Sequence, residues 1–168
     1  MKHLAIIADG NRHWAKKNHL PEWIGYQRGL ETIERCCLWC INNQISYLTV
    51  YCLSTENWQR GEDTISMLFS LADRYLVERI EWYIRNSIQV CFSGRRDRLK
   101  EGFSEKMELI EKKTRNNKAS LTLVVCVDYG GRDEIARAIA DGATTEAKIN
   151  EWIGRIAPSP DAILRTGG

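Results

Sequence analysis

The chain has 168 residues, 43% of them hydrophobic and 27% charged, and 24 Lys+Arg against 22 Asp+Glu give a formal net charge of +2. That length suits one globular domain with a real core, and the near-balance of charge excludes the broad positive field used in non-specific nucleic-acid binding. No apolar run approaches the roughly 20 residues of a membrane helix, and the N-terminus lacks the basic, apolar, then small-residue pattern of a secretory signal, so a cytoplasmic protein is expected.

In chain order, apolar segments alternate between two periods. Residues 3–8 form a short apolar run that reads as a buried strand. Residues 25–43 have helical period, with Leu30, Ile33, Cys37, Cys40 and Ile41 on one stripe. A second strand is expected over 47–53, then a long helix over 63–87 whose Ile65, Leu68, Phe69, Ala72, Leu76, Ile80 and Tyr83 recur at three and four. Strand 88–92, helix 103–116, strand 121–127, helices 133–140 and 145–153 and a last strand over 161–164 complete the pattern. Pro21, Pro158 and Pro160 all fall outside the helices, which supports these limits. The six cysteines lie in apolar helix or strand patterns and suit buried free thiols. Cys37 and Cys40 make a CxxC, but zinc needs about four ligands and no second pair follows, so their role reads as structural. Strands separated by helices of this length imply α/β: a single domain over 1–168, with a largely parallel central sheet and helices on both faces.

Open parallel sheets bind ligands beyond the carboxyl ends of their strands. Four of the expected strands end in unusual polar sequence: Asp9-Gly10-Asn11-Arg12, Ser54-Thr55-Glu56-Asn57-Trp58-Gln59-Arg60, Asp128-Tyr129-Gly130-Gly131-Arg132 and Arg165-Thr166-Gly167-Gly168. An acid, several arginines, glycines and a helix start are what a magnesium diphosphate requires: the acid ligates the ion, glycines admit backbone N–H groups and arginines fork onto phosphate oxygens. Taken singly, each stretch is equally explained as a turn or a helix cap; the combination is not. The chain has no GxxxxGK[ST] loop and no GxGxxG after a strand, and Asn11 stands where an aspartyl phosphatase would place its second acid. What remains is a diphosphate held beside apolar walls, such as the helix over 63–87 offers.

IIADGNRHWAKK, STENWQR, DYGGRDEI and DAILRTGG, in this order and at these strand ends, closely resemble the cis-prenyltransferases of the undecaprenyl diphosphate synthase type. The resemblance covers essentially the whole chain. It implies a Mg2+-dependent prenyltransferase of isoprenoid biosynthesis, in which an allylic diphosphate loses diphosphate while isopentenyl diphosphate attacks, making a cis-isoprenoid diphosphate. It also implies a homodimer, a hydrophobic tunnel, and peripheral contact with membranes through the lipid product. By position, Asp9 would be the magnesium-handling catalytic acid, and Gly10, Asn11 and Arg12 would start the helix facing the allylic diphosphate, with His13, Trp14 and Tyr26 in the same substrate shell. Ser54, Asn57, Trp58 and Arg60 match the loop joining the two substrates, Asn57 with a catalytic orienting role, and Arg165 matches an arginine on isopentenyl diphosphate. Residues 128–132 match a motif that is mainly structural.

Departures from that pattern are also legible. His13 replaces the second arginine of a DGNRRWA-type motif, Glu22 an arginine, Tyr26 the histidine of GHxxG, and Gly61 the proline after Arg60. Two cations are thereby missing from the phosphate shell, and an acid at position 22 beside a diphosphate would repel it. An acid and a tyrosine at 22 and 26 resemble the lavandulyl-type synthases that join two dimethylallyl units head to middle, which is the enzymatic alternative; a non-catalytic partner subunit is the other. The resembled family continues beyond the last motif with further residues for isopentenyl diphosphate and magnesium, so a chain ending at Gly168 lacks the C-terminal part and is expected to turn over little.

Overall fold

The structure, a computed structural model, describes residues 1–167; Gly168 and the side chains of Arg60 and Asp63 lie outside the described set. Among the described residues five strands form one sheet: β1 (His3–Ile7), β2 (Tyr47–Tyr51), β3 (Ile88–Ser93), β4 (Leu121–Cys126) and β5 (Ala162–Arg165), in the order β3-β4-β2-β1-β5. Every pairing is parallel. The expectation of a largely parallel sheet thus holds in its strictest form. The order also has a functional consequence. β3, whose carboxyl end carries none of the polar motifs, lies at the far edge, while β4, β2, β1 and β5 are neighbours, so the four motifs share one continuous rim.

The helices are α1 (Asn11–Lys17), α2 (Glu22–Asn42), α3 (Glu62–Glu78), α4 (Ile80–Arg85), α5 (Phe103–Thr114), α6 (Gly131–Ala140) and α7 (Glu146–Ile153), with a 3₁₀ turn at Thr55–Arg60. Strand alternation decides which helix goes where. Leu48 and Val50, Ile88, Val90 and Phe92, and Leu121, Leu123 and Val125 point to one face, where Cys37 and Cys40 of α2, Ile65, Phe69 and Leu76 of α3, Tyr83 of α4 and Phe103, Met107 and Ile110 of α5 bury them in a single core. The other face is more thinly covered. There Glu134 of α6 bonds Ser93, and buried His3 bridges Thr49 and the carbonyl of Pro158, leaving Tyr47, Thr49 and Tyr51 half-buried.

The helix expected over 63–87 is broken. α3 stops at Arg79, φ −98° and ψ 0°, without proline or glycine. The cause is tertiary: Arg79 Nε lies 2.7 Å from Glu34 Oε1 on α2 and its guanidinium stacks over Tyr75, while α4 turns to bury Tyr83 before the chain enters β3. Cys37 and Cys40 are buried free thiols in the α2 core stripe. Cys52 departs from the buried-thiol expectation, because it faces a cavity. No helix among the described residues is long and apolar enough to cross a membrane.

Candidate active site

A cavity of about 640 Å3 opens at the carboxyl rim of the sheet, within the size range of small-molecule sites. Its mouth is polar, lined by Asp9, Gly10, Asn11, Arg12, His13, Tyr26, Ser54, Glu56, Asn57 and Arg165. Its interior is apolar, running between α2 at Leu30 and Ile33 and α3 at Leu68, Phe69, Ala72 and Leu76, with Phe103 of α5 behind them. The helical stripes therefore have two duties. Ile65 faces only the core, whereas Phe69 and Leu76 belong to the core and also wall the cavity.

The sheet brings the acid and the arginine together. Ile7 pairs with Arg165 across β1 and β5, which sets Arg165 beside the chain just before Asp9. Arg165 Nη2 donates to Asp9 Oδ2 at 2.9 Å, and Asp9 Oδ1 accepts from Gly10 N–H at 2.7 Å. Thr166 closes the junction: its hydroxyl donates to the Asp9 carbonyl at 2.7 Å and accepts from Asp9 N–H at 3.0 Å. Gly10 takes φ 92°, and Gly167 packs so closely that a Cβ on Gly10 would lie 3.0 Å from its Cα. Only glycine accepts that backbone without strain. The Asp9–Arg165 pair is 42% and 63% exposed, and a pair so hydrated contributes about 0–1 kcal/mol, so an incoming ion or phosphate can replace either partner at small cost.

On the other lip, Asn57 Oδ1 accepts from Ser54 N–H at 3.2 Å and Asn57 N–H donates to the Ser54 carbonyl at 3.1 Å, a reciprocal closure of the 3₁₀ turn. With Oδ1 engaged, Asn57 meets a ligand as a donor through Nδ2. Glu56 also lines the mouth, which the sequence did not single out; its own backbone N–H and the Ser54 and Thr55 hydroxyls hold its carboxyl below the usual range, so it is ionised at neutral pH. Deeper in, the Cys52 thiol opens onto the cavity but is enclosed by the surrounding protein, and that desolvation pushes it up to about 12. Tyr51 is raised as well, by burial first and by Glu56 second.

Nine of the sequence candidates thus converge on the mouth: Asp9, Gly10, Asn11, Arg12, His13, Tyr26, Ser54, Asn57 and Arg165. Trp14 and Trp58 do not line the cavity; Trp14 is exposed, and the Trp58 indole N–H points instead to Asp128. The side chain of Arg60 lies outside the described residues. Glu22 is exposed and does not line the cavity. Tyr129 and Glu134 bond to each other, and Tyr51 donates to the Tyr129 carbonyl, so residues 128–134 brace the rim from behind.

Residues 7–168 match the model of a family described as "Putative undecaprenyl diphosphate synthase". An isoprenyl transferase of Chromobacterium violaceum is 38% identical, over 99% of this chain and 69% of its own length. One from Aquifex aeolicus is 36% identical, over 99% and 75%. Among solved structures, a probable undecaprenyl diphosphate synthase from Campylobacter jejuni superposes with TM-score 0.79 at 30% identity, covering 99% of this chain and 75% of that one. Lavandulyl diphosphate synthase from Lavandula x intermedia, solved with dimethylallyl diphosphate, gives TM-score 0.89 at 27% identity, covering 98% and 76%. With a charged rim above an apolar cavity and matches over nearly its whole length, the chain belongs to the undecaprenyl diphosphate synthase family of prenyltransferases, enzymes of prenyl-chain condensation.

Proposed function

We propose that the chain condenses an allylic diphosphate with isopentenyl diphosphate, releasing diphosphate and forming a cis-isoprenoid diphosphate. The carrying observation is the join between a charged mouth and an apolar interior in one cavity, which fits a ligand with an anionic head and a hydrocarbon tail. The allylic C–O bond breaks and diphosphate leaves with the bonding electrons; the isopentenyl double bond supplies the electrons of the new C–C bond, and a proton is lost. The leaving diphosphate gains negative charge as the bond breaks. Cationic and N–H partners fixed beforehand stabilise that charge more than the ground state. Arg12 and Asn11 serve the allylic diphosphate, Arg165 and Asn57 the second substrate, and Leu30, Leu68 and Phe69 seat the hydrocarbon and exclude water.

Magnesium fits this rim on donor chemistry. Among the described residues no cluster of three acids, histidines or cysteines exists that would cage an ion in protein ligands alone. Mg2+ is commonly held by one or two carboxylates with substrate phosphates and water, and Asp9 at the mouth is such a carboxylate. When bound, the ion would neutralise charge on the diphosphate. The same reading includes a cytoplasmic homodimer that touches membrane through its lipid product; the exposed Ile163 and Leu164 on edge strand β5 support a further protein layer there.

The test uses the full chain with radiolabelled isopentenyl diphosphate, dimethylallyl to farnesyl diphosphates as partners, and Mg2+ or EDTA. Label entering a longer prenyl product only with both substrates and Mg2+ is the expected result. Consumption of dimethylallyl diphosphate without isopentenyl diphosphate would establish head-to-middle coupling instead. No product from any pair would contradict the proposed reaction.

A further inference from the structure

Asp128 is fully buried, in a left-handed backbone conformation of φ 50° just past β4. Both carboxylate oxygens are engaged. Trp58 Nε1 donates to Oδ1 at 2.8 Å, and Arg98 forks across the group, Nη2 to Oδ1 and Nε to Oδ2, each at 2.6 Å. The Arg98 guanidinium also lies 5.7 Å from the Trp58 ring centroid. None of the three side chains lines the cavity, and the chemistry above uses none of them. The Asp128 carboxylate is wholly buried while Arg98 stays 41% exposed, so one charge is taken out of water, and the fork and the indole N–H together offset its desolvation.

The trio touches the site from behind at two places. Trp58 follows Asn57 in the 3₁₀ turn, so fixing the indole fixes the mouth residue. Its ring lies 5.7 Å from Phe69, which meets Phe103 edge-on at 4.9 Å, and both phenylalanines wall the cavity. The base is rigid. The turn is joined to the residues after β4 by Thr55 N–H to the Tyr129 carbonyl and Tyr129 N–H to the Leu53 carbonyl, at 3.0 and 3.1 Å. Arg98 comes from a segment tied down by Arg95 to Asp133 and by Arg96 to Glu111. That segment leaves β3 through Gly94, φ 125°, where any Cβ would fall 1.9 Å from the Val127 carbonyl oxygen.

The geometry points to Arg98 and Asp128 as positioning residues for prenyl transfer: through Trp58 they hold Asn57 at the cavity mouth and Phe69 and Phe103 in its wall, without touching substrate. This rests on the function proposed above. It goes further in assigning a catalytic consequence to residues that otherwise only support the rim.

The experiment pairs hydrogen exchange with steady-state kinetics on wild type, Asp128→Asn, Trp58→Phe, Arg98→Lys and Arg98→Ala. Asn tolerates positive φ and keeps an acceptor for the indole while removing the buried charge, so Asp128→Asn folds even if Arg98→Ala does not. Expected is exchange at amides 54–60 accelerated about tenfold or more in Asp128→Asn and Trp58→Phe, with β4 and α5 unchanged, and KM for isopentenyl diphosphate raised about tenfold against a smaller change in kcat. Arg98→Lys keeps the positive charge but not the fork, so it should loosen 54–60 while leaving the midpoint of unfolding near wild type. Exchange unchanged at 54–60, exchange accelerated evenly over the sheet, or unaltered KM in an active enzyme would each overturn the assignment. Should wild type turn over no prenyl substrate, the proposed function fails, and the exchange at 54–60 still decides the anchor.

Discussion

In the proposed reaction Asp9 would carry the chemistry on one side chain, and its exposure separates chemistry from stability. It is 42% exposed and paired with an arginine that is 63% exposed, so Asp9→Ala should leave the unfolding midpoint nearly unchanged. Turnover should fall by about 10²–10³-fold, the range for loss of one fixed electrostatic partner, and Mg2+ should cease to stimulate what remains. Matched calorimetry and kinetics check this; a large fall in midpoint with proportionate loss of activity would make Asp9 structural. Gly10 behaves oppositely. Gly10→Ala meets φ 92° and the Gly167 backbone, so a loss of stability of about 1–2 kcal/mol in urea unfolding is expected. Residue types and spacing singled out Asp9, Arg12, Asn57 and Arg165 at expected strand ends, and the structure brings all four to the cavity mouth. The destination of Trp58 was not legible: its partners Arg98 and Asp128 are 40 and 70 residues further along the chain, and nothing local announces a buried carboxylate.

At the scale of elements, polar stitching joins pairing with β1 in holding β5. Asp161 Oδ2 accepts the N–H groups of His3 and Lys2, and these hold its carboxyl below the usual range, His3 first. A depressed folded pKa gives stability that is complete above the unfolded value and lost as pH falls through the folded one. Wild type should therefore lose more stability than Asp161→Asn between about pH 5 and pH 3, as urea titrations at each pH would show. Equal losses would remove the stitch from the account. The alternation of strand and helical period made the parallel sheet readable, and short β5 emerged within one residue of expectation, at 162–165 rather than 161–164. The break at Arg79 was not readable, since the 63–87 stripe continues through it and the cause, Glu34, lies on another helix.

For the whole molecule, the cavity is a large apolar void that a ligand should fill, and stability should respond. Leu123, 1% exposed in the sheet core, should cost about 4 kcal/mol on mutation to Ala; Leu76 is similarly buried yet borders existing empty space, so Leu76→Ala should cost about 2 kcal/mol. Saturating allylic diphosphate with Mg2+ should stabilise the fold by about 2.7 kcal/mol at a hundredfold excess over Kd, and Ala72→Phe should abolish most of that gain by occupying the interior. The most direct measurement is a crystal structure with an unreactive thio analogue of dimethylallyl diphosphate and Mg2+. The account predicts the diphosphate within hydrogen-bond reach of Asn11 and Arg12, the ion on Asp9, and the hydrocarbon against Leu30, Leu68 and Phe69. A diphosphate bound away from Asp9, or a hydrocarbon outside the cavity, would contradict it.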